Sequence, residues 1–522
     1  MIKVLNKYLI EKPFEFALVL FIIAVNLPNL TKVETDPDIW GRIKFGNEIV
    51  QNHTPYIQEK YSYLIDSKSW IDTEWLSGVI YAVMFNIAHN PGLILFKAGV
   101  LFLILLNVYI VFKKFKLNNF IVFLLLSILL DVLTIGTFVI RAHLFTYFFL
   151  GLFFHLIIKY RYDNYKYLYF IPWLFPLWVN FHGGFVAAIA FLGLFVGSEI
   201  TRILFFDKES NDEILKVNRL KTLINTVVLT FLMCLINPWG LKIFKAIIRF
   251  DLLNRSEISE WRPLNLLSVN ALLYFIILFL AIFTFRKTRQ KIFFPEFLMF
   301  IVLILIPFSA VRHLPLTAIG VLILIAPHLT SAAKNSFLNQ FTGFNNVNKK
   351  MSYTLIVSGV FLLLVNLVFR IIFNLNFVYN DMPYWNMRLL KESNVKANCV
   401  NYFDWGAFLI YHLSPNIKVS IDPRRDLAYS NAIYKINLDF MLGTNQWDAI
   451  LDDYKTDMVL VSKNTVSYNL IKMRPDFIYV FEDSVACLFV RKNFPQLADL
   501  QVQAIKYRAL CQNAKTNDHT FP

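Results

Sequence analysis

The sequence predicts a polytopic α-helical membrane protein that carries a small C-terminal α/β domain. Three observations predict it. The 522 residues are 57% hydrophobic and include 52 Phe, a composition no soluble globule of this size needs. Apolar runs of membrane length recur from Phe14 to Phe373, separated by short polar loops. Beyond Asn374 the pattern changes to short apolar strands alternating with amphipathic stretches.

The net charge of +15 resembles that of a nucleic-acid binder until the cations are located. Lys113, Lys114 and Lys116, then Lys159 and Arg161, then Arg286, Lys287, Arg289 and Lys291 all sit in short loops between apolar runs. That is a topology signal, and nucleic acid is not an expected partner. Lys3, Lys7 and Lys12 place the N-terminus in the cytoplasm, with Phe14 to Leu30 as an uncleaved signal-anchor. Asp36 to Asp72 then lie outside.

Trp75 to Ala88 is too short to cross a bilayer, which takes roughly 20 residues. It reads as an interfacial or re-entrant helix, and Leu93 to Phe112 as the second span. The remaining spans are read at Phe120–Ile140, Leu144–Ile158, Tyr167–Val179, Phe185–Ile200, Leu223–Ile236, Leu272–Phe285, Phe294–Ala310, Leu316–Leu329 and Tyr353–Phe373. The total is about eleven spans, with the tail external. The expected domains are 1–373, membrane, with a first external loop at 31–74 and the interfacial helix at 75–88, and 374–522, an external α/β domain. In the tail, Val400–Leu413, Lys418–Ile421 and Met458–Val461 read as strands and Gln446–Tyr454 as a helix. Phe477–Phe481 and Ala486–Val490 read as a hairpin. The four Cys have no metal-ligand spacing; a disulfide within the tail is open, with no pair favoured.

Under this topology one face collects most of the chemistry. The run Asp36-Pro-Asp38-Ile-Trp40-Gly-Arg42 packs two carboxylates, a ring and a cation into one turn. Asp72, Glu74, Arg141, His143, Asn180, His182, Glu260, Arg312 and His313 join it. Carboxylates serve as a general base or hold a divalent cation, and Asp36 and Asp38 are the candidate metal ligands. Arg and His suit a phosphate, Arg through a fork of donors. The plainer readings are a turn at Asp-Pro, an interfacial Trp239, and Arg312 as a snorkelling anchor. Asp422 and Arg424, in Ile-Asp-Pro-Arg-Arg-Asp, follow a strand that Pro423 should end. They are read as facing the external cavity or as an ion pair that stabilises the turn.

Several of these motifs resemble, in order, a group of bacterial membrane proteins related to GT-C glycosyltransferases. The carriers are Asp36-Pro-Asp-Ile-Trp-Gly-Arg with Gly46, Trp70 to Leu76, Arg141-Ala-His-Leu-Phe-Thr146 and Trp178-Val-Asn-Phe-His-Gly-Gly-Phe185. Asn237-Pro-x-Gly240, Glu260-Trp261, Arg312-His313-x-Pro315, Trp405-Gly406 and Asp422-Pro-Arg424 follow. Ala142 replaces the usual Pro, and Arg42 stands where His is also common. The resemblance implies a GT-C-like fold in a bacterial inner membrane and a polyprenyl-phosphate-linked sugar as donor. It implies Asp36, Asp38 and Glu74 as catalytic or acceptor-positioning carboxylates. Trp40, Arg42, Arg141, His143, Asn180, His182, Arg312, His313, Asp422 and Arg424 would bind substrate. The rival classes are a transporter or lipid-handling protein without bond chemistry, and a non-catalytic envelope scaffold.

Overall fold

The computed structural model describes residues 36–65, 70–134, 139–206, 213–251, 259–336, 349–372 and 381–513, with isolated positions at 13, 14, 17, 20 and 24. The signal-anchor reading of Phe14 to Leu30 lies almost wholly outside the described residues. The chain divides into two compact units. One comprises residues 1–32, 94–240 and 253–375, and the other residues 33–93, 241–252 and 376–522.

The first unit is helical. Among the described residues, six helices of the chain are long and apolar enough to cross a membrane: Trp75–Lys114, His143–Tyr162, Phe185–Phe206, Glu213–Cys234, Val269–Lys287 and Val311–Lys334. Asn119–Thr134, Phe294–Phe308 and Ser352–Asn366 are apolar but shorter. Leu314–Lys334 is the core of this unit. Almost every residue from Leu314 to Leu329 is buried, and the helix packs on His143–Tyr162, Val269–Lys287 and Phe294–Leu305. Gly320 makes one of these approaches close, since a Cβ there would lie 2.6 Å from Leu303. A helix apolar on every side belongs in the middle of a bundle.

Tyr167–Val179 differs from the span read there. It forms 3-10 turns at Tyr165–Phe170 and Pro172–Leu174, then a short helix, Phe175–Phe181. Pro172 and Pro176 remove two N–H donors from the stretch, so a continuous helical ladder does not run through it. The Trp75–Lys114 helix is interrupted at Ala88 and His89, where His89 takes a φ of 47° just before Pro91.

The second unit is built on a five-stranded sheet of order β2-β1-β3-β5-β4. The strands are β1 Ala397–Asn401, β2 Ile417–Val419, β3 Met458–Ser462, β4 Phe477–Glu482 and β5 Ala486–Arg491. β1 runs parallel to β2 and β3, β3 pairs antiparallel with β5, and β4–β5 is the hairpin. Val400–Leu413 was expected as one strand, but only its start is: Gly406–Leu413 is a helix. A short apolar run does not by itself distinguish a buried strand from a buried helix.

The sheet does not end with the tail's own residues. Tyr61 O accepts from Val419 N–H at 2.9 Å, and Val419 O accepts from Tyr63 N–H at 3.3 Å. The first loop therefore lies along β2, and Leu64 enters the core with Val400, Val459, Phe477 and Phe489. The helix Lys242–Asp251 joins this unit too, with Ile243 and Ile247 buried and Lys242 and Lys245 exposed. All four cysteines are free, Cys399 and Cys487 being buried in the sheet.

Candidate functional site

In the second unit the first-loop motif opens the helix Asp38–Asn52. The Asp36 carboxylate accepts the Asp38 N–H at 3.0 Å, and the Asp36 carbonyl accepts that of Ile39 at 3.1 Å. An acceptor at this position satisfies donors that a helix start leaves over. Asp36 is buried and Asp38 half-buried. One turn on, Arg42 reaches the Asp72 carboxylate at 3.1 Å and bonds Glu74 with its other terminal nitrogen. Asp72 also accepts the Glu74 N–H at 3.0 Å. Burial pushes the Asp72 carboxyl above the usual carboxylate range, against the pull of Arg42. Burial draws the Arg42 guanidinium down, but Glu74, Asp72 and Asp38 together hold it above its ordinary value.

Backbone contact brings these arms together. A Cβ on Gly46 would lie 2.1 Å from the Gly78 carbonyl oxygen, so only glycine lets the two helices cross there. Trp40 is 2% exposed, with its ring 4.7 Å from Tyr411, 5.2 Å from His412 and 5.9 Å from Phe85. Among the described residues, no group of three or more His, Cys, Asp or Glu is placed to hold a metal ion.

Asp422 and Arg424 are buried within the same unit. Arg424 bonds Asp422 at 2.6 and 2.8 Å and reaches across 365 positions of sequence to Glu59. Glu59 also accepts the Tyr61 and Ser62 N–H groups, each at 2.9 Å. Tyr429 donates to Asp422. Phe45, Tyr61 and Trp70 surround the guanidinium, their ring centres 5.1 to 5.3 Å away. Burial would raise the Asp422 carboxyl, yet Arg424 and Tyr429 hold it below the usual range. The motif Trp405-Gly406 belongs here as well: a Cβ on Gly406 would meet the Ile421 carbonyl oxygen at 2.2 Å. Arg425 lies over the Tyr434 ring, 4.1 Å from its centre.

In the first unit, Arg141 and Arg312 share one carboxylate. Arg141 bonds one Glu260 oxygen at 2.5 Å, and Arg312 lies 3.4 Å from the other. Arg312 also stacks over Trp261 at 4.4 Å. All three charged side chains keep between a quarter and a third of their surface exposed.

His182 is held by a relay. Trp178 Nε1–H donates to Thr146 Oγ1 at 2.9 Å, and Thr146 Oγ1 lies 2.8 Å from His182 Nδ1. The Gly184 N–H donates to the same Nδ1 at 3.0 Å. An indole N–H only donates, so the threonine hydroxyl proton is left to point at Nδ1. With two donors aimed at it, Nδ1 is the acceptor, and the neutral ring carries its proton on Nε2. Gly184 is required by this packing, since a Cβ would lie 2.4 Å from Thr146 Oγ1.

Asn180 has a different position from His182, donating to the carbonyls of Pro176 at 2.7 Å and Ile236 at 2.8 Å. It ties the Phe175–Phe181 helix to the end of the Glu213–Cys234 helix. Asn237 closes its own turn, with Gly240 at a φ of 53°. His143 is buried against Tyr147, and His313 Nδ1 lies 3.2 Å from the Ile306 carbonyl.

The sequence reading did not single out Glu59, Tyr429 or Thr146. Nothing local marks Glu59 as the partner of a residue in the tail. Thr146 was visible only as the last letter of a motif.

The chain is thus a membrane protein with a helical bundle and a small mixed sheet. Its fold is similar to that of ArnT from Cupriavidus metallidurans. The structure of that protein bound to undecaprenyl phosphate matches with a TM-score of 0.50 at 11% identity, over 92% of this chain and 97% of the other. The apo structure matches with a TM-score of 0.50 at 12% identity, over 92% and 98%. No protein-family model matches the chain, and no curated protein matches it in sequence.

Proposed function

We propose that the protein is a GT-C-type glycosyltransferase of a bacterial inner membrane. It would move a sugar from a polyprenyl-phosphate-linked donor to a cell-envelope acceptor on the external face. The topology that goes with this reading has about eleven spans, a cytoplasmic N-terminus and an external C-terminal domain, 374–522.

The observation that carries the proposal is the pair Arg141 and Arg312 on the single carboxylate of Glu260. Two guanidiniums converge on one carboxylate at a part-exposed edge, and guanidinium forks match phosphate oxygens. The ArnT structure of the same fold holds undecaprenyl phosphate. In the reaction, the acceptor oxygen bonds the anomeric carbon as the carbon–oxygen bond to phosphate breaks. The acceptor's proton passes to a first-loop carboxylate. Asp38 fits this better than Asp36, which is more buried and whose carboxylate already accepts a backbone N–H. Arg42 holds Glu74 and Asp72 in place. The electron pair leaves with the phosphate, where Arg141, Arg312 and the His182 Nε2–H stabilise it.

The test is turnover of a polyprenyl-phosphate-linked sugar by the purified full-length protein, read as release of the lipid phosphate. Asp38→Asn should lose about 10²–10⁴-fold in rate, and Asp36→Asn should lose less. Full turnover in a normally inserted Asp36→Asn/Asp38→Asn variant removes the assigned base. Lipid or solute flux with no sugar transfer moves the protein into the transport class.

A further inference from the structure

At one end of the first unit, the helices Val269–Lys287 and Leu314–Lys334 stop together. A cleft of about 300 Å³ opens there, lined by Arg289, Gln290, Thr330, Ser331, Lys334 and Asn335. Every lining side chain is polar and two are cationic. The walls are fixed by backbone bonds: Ser331 Oγ accepts the Arg289 N–H at 3.1 Å, and Thr330 Oγ1 donates to the Phe115 carbonyl at 2.6 Å. Asn335 Nδ2 donates to the Lys287 carbonyl at 3.4 Å. Among the described residues, neither Arg289 nor Lys334 forms an ion pair with a carboxylate. Arg286, Lys287 and Lys291 add further positive charge in the same stretch.

We propose that this cleft binds the headgroup of an anionic phospholipid, its phosphate held between Arg289 and Lys334. The placement selects the source. Both helices are long and apolar enough to cross a bilayer, so their shared end lies where lipid headgroups lie. A basic pocket between membrane helices at that depth matches anionic headgroups in charge. Ser331, Gln290 and Asn335 supply neutral donors for the remaining oxygens. Here two cations with no carboxylate partner among the described residues flank an open, wholly polar cleft. This site is separate from the proposed glycosyl-transfer residues and does not depend on them.

The experiment uses full-length protein in nanodiscs of phosphatidylcholine doped with labelled phosphatidylglycerol, with retained lipid counted by native mass spectrometry. Preferential retention of phosphatidylglycerol is expected. Arg289→Gln/Lys334→Gln should lower its affinity roughly 30-fold, the effect of removing two cations at a headgroup. Arg286→Gln/Lys291→Gln removes the same charge outside the cleft and should change it far less. Equal retention of both lipids overturns the proposal. So does an equal loss from the two double variants, which would mean bulk attraction. Full displacement by millimolar inorganic phosphate would identify the cleft as a free-anion site and overturn it too.

Discussion

Replacing Arg424 by methionine is the sharpest test of how the second unit is held together. The change keeps much of the side-chain volume and removes the cation bonded to both Glu59 and Asp422. Arg424, Glu59 and Asp422 side chains are 4%, 1% and 1% exposed. Two carboxylates would then face each other away from water, with Tyr429 and three backbone N–H groups as their remaining donors. Removing one partner of a buried pair costs about 3–5 kcal/mol. Glu59→Gln is milder, at about 1–2 kcal/mol, since its amide oxygen still accepts the Tyr61 and Ser62 N–H groups. In the double variant only Asp422 keeps its charge. It should be more stable than Arg424→Met alone, a coupling of at least about 1 kcal/mol. The buried thiols Cys399 and Cys487 report the opening of this sheet, after Cys234 and Cys511 are changed to serine. Labelling of detergent-solubilised full-length protein should be about 10²–10⁴-fold faster in Arg424→Met. Labelling at the parent rate would refute the argument and reduce the network to an idle contact.

Three further outcomes follow from the same geometry. Gly46→Ala forces a Cβ against the Gly78 backbone, so cysteine cross-linking between the helices Asp38–Asn52 and Trp75–Lys114 should fall and turnover with it. The Asp422 carboxyl is held below its ordinary range, so the unfolded chain takes up its proton first as the solution is acidified. Its stabilisation is present above pH about 4 and is lost as pH falls through the lower folded value. Thermal scans should show that loss, and Asp422→Asn should flatten it. Asp72, held above its ordinary range, works in the opposite sense and destabilises as pH rises through its folded value. Thr146→Val keeps shape but removes the hydroxyl between Trp178 and His182. Nitrogen-15 spectra of labelled histidine should then show a shifted His182 Nδ1, left with the Gly184 N–H as its donor, while Thr146→Ser should keep the parent shift.

Hydrophobic length and basic loops determined the membrane class without any tertiary information, because a bilayer imposes its thickness on any helix that crosses it. The hairpin at Phe477–Arg491 was legible too, since alternation and a polar turn are local signals. The Asp36 run read only as a turn, and the structure makes it the start of the helix Asp38–Asn52. Gly406–Leu413 could not be read as a helix, because a short apolar run does not by itself distinguish a buried helix from a buried strand. The Tyr167–Val179 stretch reads as a span by hydropathy, while its prolines break the ladder that a span requires. Only the tertiary structure joined Glu59 to Arg424, laid residues 61–63 along β2, and set Arg141 and Arg312 on one carboxylate. Those pairings cross 52 to 365 positions of chain. Nothing in the residues near each partner encodes the other: charge and burial fix what each side chain needs, and only the packing of the helices and the sheet decides what supplies it.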